Sequence, residues 1–111
     1  MTPVNKELLK GSTVTMILTL LEGKDLYGYE LIKELERRSG GAFALKEGTL
    51  YPILHQMESQ LWVEAYWREV EGRRRKYYRI TDKGRGQLKE KKAEWILFRR
   101  SVDQVLGEDP I

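Results

Sequence analysis

Thr49-Leu50-Tyr51-Pro52-Ile53-Leu54-His55-Gln56-Met57-Glu58-Ser59-Gln60-Leu61 runs directly into Trp62-Val63-Glu64-Ala65-Tyr66-Trp67-Arg68, and the apolar residues change period at the join. In the first segment Leu50, Ile53, Leu54, Met57 and Leu61 gather within a sector of about 100° on a helical wheel. That spacing predicts a helix from about Thr49 to Gln60. Its opposite side carries Pro52, His55, Gln56 and Ser59, with Tyr51 and Glu58 at one flank and Thr49 at the other. Pro52 is expected in the first turn, where its missing N–H has no intrahelical partner. A face turned only to water normally holds more Lys and Glu. This one holds short polar groups, an imidazole and an aromatic ring, so it suits approach to another surface.

The second segment and Lys76-Tyr77-Tyr78-Arg79-Ile80 are rich in aromatic and β-branched residues. Between them lies Glu69-Val70-Glu71-Gly72-Arg73-Arg74-Arg75, so the pair reads as a β-hairpin about a glycine-containing turn. Alternation puts Tyr78 and Ile80 on the core side and points Tyr77 and Arg79 outward. Residues 73–79 include Arg73, Arg74, Arg75, Lys76 and Arg79 and no acid, against a formal net charge of only +3 for the whole chain. A basic patch on a nearly balanced protein marks a polyanion-binding edge, or else a solvated loop.

Working outward, Leu9, Val14, Ile17, Leu18 and Leu21 recur at helical spacing and predict a first helix over residues 5–21, with Gly23 as a left-handed cap. A second helix is expected from Tyr27 to Arg38, ended by Ser39-Gly40-Gly41. After the hairpin, Thr81-Asp82 reads as a helix N-cap with a first-turn acid, opening a last helix to about Leu106. Leu88, Trp95, Phe98, Val102 and Val105 occupy its heptad a and d positions, with Lys91 the polar exception. This seam packs either on the chain's own first helix or, as the expectation favours, on a partner helix. The fold class is therefore mainly α with a small β-hairpin. Residues 1–80 form a winged helix-turn-helix, 81–106 a C-terminal dimerisation helix and 107–111 a flexible tail.

Composition narrows the function classes. The 111 residues suffice for one modest core. There is no cysteine and a single histidine, so disulfides, thiolate chemistry and an imidazole metal site are not expected. No phosphate-binding glycine loop or paired-carboxylate motif suggests an enzyme, and no cofactor is implied. Apolar stretches such as Met16-Ile17-Leu18 are too short for the roughly 20 residues that span a bilayer. Residues 1–6 lack the pattern of a secretory signal, and a cytoplasmic location is expected.

Three stretches in order resemble the PadR family of transcriptional regulators, over roughly residues 6–106. They are Tyr27-Gly28-Tyr29-Glu30-Leu31; Glu47-Gly48-Thr49-Leu50-Tyr51-Pro52-Ile53-Leu54 with Met57-Glu58; and Gly72-Arg73-Arg74-Arg75-Lys76-Tyr77-Tyr78-Arg79-Ile80-Thr81-Asp82-Lys83-Gly84. The single last helix is similar to that of the family's short-tailed subgroup. One departure is Ser59-Gln60-Leu61, where the family usually has a glycine after the third helix. Either the helix ends differently here or Gln60 is strained.

The resemblance implies a homodimeric regulator, usually a repressor, on palindromic double-stranded DNA. Its third helix would enter the major groove and its wing would touch the backbone. Thr49, Tyr51, Pro52, His55, Gln56 and Ser59 are the candidates on the helix, with Thr49 suited to a phosphate and Gln56 or His55 to a base edge. Tyr51 can equally be a packing aromatic. Arg73, Arg74, Arg75 and Lys76 are the candidates on the wing, although Lys76 can also lie on the core side. Leu88, Trp95, Phe98, Val102 and Val105 would form the dimer interface. Trp95 and Phe98 would either fill it or hold a small planar aromatic or phenolic ligand. The competing reading is a winged-helix protein–protein module whose arginine-rich wing binds an acidic partner; exposed Trp62, Tyr66 or Trp67 would favour it.

Overall fold

A computed structural model describes residues 11–108. The first helix, α1, spans Thr13–Gly23 within that range, and the earlier residues expected in it, Leu9 included, lie outside it, as does the end of the expected tail. Gly23 is the last helical residue rather than a left-handed cap. The chain leaves at Lys24 in an extended conformation (φ −171°) and runs straight into a two-residue strand, β1, Leu26–Tyr27, which the sequence did not suggest.

Helix α2 spans Gly28–Arg38. Tyr27 stands outside it as the cap residue, its N–H donating to the Glu30 carboxylate at 3.3 Å. Gly40 and Gly41 take positive φ and turn the chain away. Helix α3 spans Glu47–Ser59, two residues earlier than expected. Pro52 therefore sits in the second turn. There it removes the bond that its N–H would have made to Gly48, but both residues are exposed and water can serve the freed carbonyl.

The end of α3 resolves the missing glycine. Gln60 keeps a right-handed helical conformation (φ −80°), and Leu61 takes the left-handed one (φ 63°). The Trp62 N–H donates to Met57 O at 3.0 Å and the Leu61 N–H to Glu58 O at 2.9 Å, the paired bonds of a Schellman cap.

Strands β2, Val63–Val70, and β3, Arg73–Ile80, pair antiparallel with Val70 opposite Arg73. The turn is thus only Glu71-Gly72, both at positive φ (52° and 78°), as a type I′ hairpin requires. Arg73, Arg74 and Arg75 are strand residues, not loop residues. β1 adds to the far side of β3, giving the sheet order β1-β3-β2.

Helix α4, Asp82–Leu106, opens as expected: the Thr81 hydroxyl accepts from the Gly84 N–H at 3.0 Å and donates to Leu61 O at 2.6 Å. It packs against α1, with Lys92 3.9 Å from the Glu22 carboxylate. The core joins Ile17, Leu18 and Leu21 of α1, Leu31 of α2, Leu50, Leu54 and Met57 of α3, and Tyr78 and Ile80 of β3. Leu88 of α4 belongs to the same core.

Candidate nucleic-acid interface

Burial of Leu50, Leu54 and Met57 fixes the rotation of α3 about its axis and leaves Thr49, Pro52, His55, Gln56 and Ser59 exposed along one side. The Ser59 hydroxyl donates to His55 O at 3.1 Å, so its proton is used within the helix. Tyr51 lies apart from these five. It is half-buried and packs on the core, with its ring against Gly28 so closely that a Cβ there would lie 2.3 Å from the phenol oxygen. Of the two roles open to it, the packing one matches this placement.

The hairpin has two different faces. Towards α3 it shows Lys76, whose ammonium lies 3.3 Å from the Glu58 carboxylate and over the Tyr78 ring. Lys76 is therefore a strut between α3 and the wing rather than a free cation. Further out on this face Arg74 stacks over Trp67 at 4.7 Å, and Trp67 is 57% exposed.

The other face was not foreseen. Tyr77, expected to point into solvent, is only 7% exposed, because Tyr66 stacks on it at 5.8 Å and Tyr27 meets it edge-on at 5.4 Å. Guanidinium groups lie on these rings: Arg75 over Tyr27 at 4.3 Å, Arg68 over Tyr77 at 5.1 Å and Arg79 over Tyr66 at 4.7 Å. Asp25 holds the arrangement to the α1–β1 connection. It accepts from the Tyr66 hydroxyl at 2.5 Å and from Arg79 at 3.3 Å. That hydrogen bond, with some burial, raises the Tyr66 phenol above its ordinary value. Among the described residues Arg79 pairs with Asp25 and Glu64, while no carboxylate pairs with Arg68, Arg73, Arg74 or Arg75. Arg68 and the tyrosine floor escaped sequence reading because face assignment depends on register, and register on the length of the turn.

Two parts of α4 behave differently. Leu88 is 1% exposed within the single chain, so it is removed from the dimer-interface candidates: the α1–α4 contact and the core claim it. Lys91, the polar residue of the seam, lies over the Trp62 ring at 5.6 Å. Beyond it Trp95, Phe98, Val102 and Val105 are exposed, with Trp95 and Phe98 stacked at 6.1 Å.

The PadR-like model of transcriptional regulators matches residues 17–90, from within α1 into α4. This chain belongs to the PadR-like family. It is 32% identical over 103 residues to the transcriptional regulator Rv3488 of Mycobacterium tuberculosis, covering 93% of this chain and 87% of that one. Among solved structures, a transcriptional regulator from Clostridium thermocellum superposes with a TM-score of 0.84 at 34% identity, covering 89% of this chain and 97% of that one. A PadR family regulator from Eggerthella lenta gives 0.81 at 34% identity, covering 90% and 86%. The winged helix-turn-helix architecture of PadR regulators is thus that of this chain. Family members are transcriptional regulators, not enzymes. Among the described residues no helix is long and apolar enough to cross a membrane.

Proposed function

We propose that this PadR-like regulator binds a palindromic operator as a homodimer and represses transcription there. The observation that carries the reading is the pairing of an exposed, almost uncharged α3 face with neighbouring wing guanidinium groups that lack carboxylate partners. In this reading α3 lies in the major groove, which admits a helix and distinguishes all four base pairs. Gln56 and His55 read base edges, Thr49 meets a phosphate, and Pro52 and Ser59 shape the contact. Arg73, Arg74 and Arg75 engage the backbone. Lys76 acts indirectly, by holding the wing to Glu58.

The exposed Trp95, Phe98, Val102 and Val105 join the two protomers, each contributing roughly 1.5–3 kcal/mol if fully covered. Two-fold symmetry then calls for two equivalent half-sites. Trp95 and Phe98, stacked and exposed, offer flat surfaces to a small planar aromatic or phenolic ligand that shifts the dimer and releases DNA. The protein works in the cytoplasm, where its DNA is.

The test is an electrophoretic shift with the region upstream of the protein's own gene. Retarded bands that fade as salt rises are expected; no shift in low salt removes the regulator reading. The protein–protein alternative retains one observation: of Trp62, Tyr66 and Trp67, only Trp67 is exposed.

A further inference from the structure

Arg68 of β2 stands directly opposite Arg75 of β3 in the antiparallel register. Like charges so placed repel and weaken a strand pair. Neither side chain turns to a carboxylate. Both lie on the outer sheet face, Arg68 over Tyr77 and Arg75 over Tyr27, and those two rings are in edge-to-face contact. The aromatic floor thus holds two cations side by side. The acids of this face are engaged elsewhere: Asp25 and Glu64 both pair with Arg79. Arg75 Nε is buried and has no hydrogen-bond partner. That nitrogen is closed to an outside acceptor, but the terminal nitrogens of the two neighbouring guanidinium groups match the oxygens of one phosphate.

We infer that Arg68 and Arg75 together form a clamp for a single phosphodiester of the DNA backbone. Arg68, which lies outside the arginine run, is the half that sequence motifs do not mark. The inference rests on the DNA-binding reading and deepens it by assigning one phosphate to two residues.

Because the two groups share one phosphate, their substitutions should not add. Binding of the wild type, Arg68→Gln, Arg75→Gln and the double variant to duplex from the gene's own upstream region is measured by fluorescence anisotropy across a potassium chloride series. Either single change should weaken binding but leave the other guanidinium on the phosphate, so the log–log salt slope stays near the wild-type value, whereas the double variant should lose about 1 rather than about 2. Wild-type affinity in Arg68→Gln overturns the clamp while leaving DNA binding intact. A loss of about 2 in the double variant overturns the sharing.

A second arm follows the arginine Nε–Hε resonances of the DNA-free protein during titration with inorganic phosphate at constant ionic strength. The Arg75 signal should move weakly in the wild type and stay still in Arg68→Gln. No movement in the wild type overturns the clamp even if no duplex binds, so the two failures are distinguishable. Saturation below about 1 mM would mark a site for a free phosphorylated molecule and overturn the assignment to DNA.

Discussion

Leu61 occupies a backbone position that a glycine fills with less strain. Its φ of 63° places Cβ against the following carbonyl, and its side chain is 64% exposed, so little packing is gained in return. Leu61→Gly should raise stability by about 0.5–1 kcal/mol once the extra freedom of glycine in the unfolded chain is offset. Urea unfolding at neutral pH checks this. Gly84 shows the reverse constraint: a Cβ there would lie 2.0 Å from Trp62 O, a backbone atom that cannot swing away. Gly84→Ala should cost roughly 1–3 kcal/mol by forcing α4 off the hairpin.

Tyr78 is fully buried, and its hydroxyl has no hydrogen-bond partner among the described residues. Burial, with Glu58 and Tyr51 adding to it, pushes the phenol from 10 up to about 12. The folded chain then keeps a proton that the unfolded chain releases, so stability is complete below pH 10 and declines as pH rises from 10 towards 12. Tyr66, also raised, contributes in the same direction. Tyr78→Phe should be no less stable than wild type at pH 7, since it removes an unsatisfied buried group, and should flatten the alkaline decline. Urea midpoints at pH 7 and in the alkaline range measure both effects.

At the level of elements, periodicity made the helices legible because each buries one stripe. Of the five residues that predict α3, Leu50, Leu54 and Met57 are buried and Ile53 is half-buried, whereas Leu61 lies past the helix end and is exposed. Boundaries were less legible, for local reasons. The two-residue turn at Glu71-Gly72 is not legible in sequence, because neighbouring Val70 and Arg73 fit a loop as readily as a strand. Alternation assigns Tyr77 to the outer face but does not reveal that β1, only two residues long, supplies Tyr27 to cover that face.

The seam of α4 was legible as a heptad but not in its division of labour. Leu88 and Lys91 meet the chain's own core and Trp62, whereas the seam from Trp95 onward remains uncovered. Val102→Asp should raise the dimer dissociation constant by about a hundredfold or more, because a charge would be desolvated at the interface. Sedimentation velocity over a concentration series reads it; an undisturbed dimer would place the interface on another face.

For the whole molecule, α4 dictates the shape. Its 25 residues form a rod about 37 Å long, more than half the longest extent of 54 Å. The winged helix sits at one end and the exposed seam at the other, so in the proposed dimer the joining of two rods would set the distance between two α3 faces. A net charge of +3 is modest, but four arginines that pair with no carboxylate among the described residues, Arg68, Arg73, Arg74 and Arg75, lie together on the wing. Replacing Arg73 and Arg75 together with Ala should weaken binding to every sequence and flatten its salt dependence by one to two units of log–log slope, about 0.9 per phosphate contact. An unchanged slope would take the wing out of the mechanism.

Hydroxyl-radical footprinting of the region upstream of the gene shows whether two copies of α3 read DNA in symmetric register. Two related protected segments are expected, their centres one helical turn of about 10–10.5 base pairs or a multiple of it apart, both lost in Gln56→Ala at concentrations where the wild type still protects. A single unpaired footprint, or uniform protection indifferent to Gln56, would contradict symmetric reading by α3.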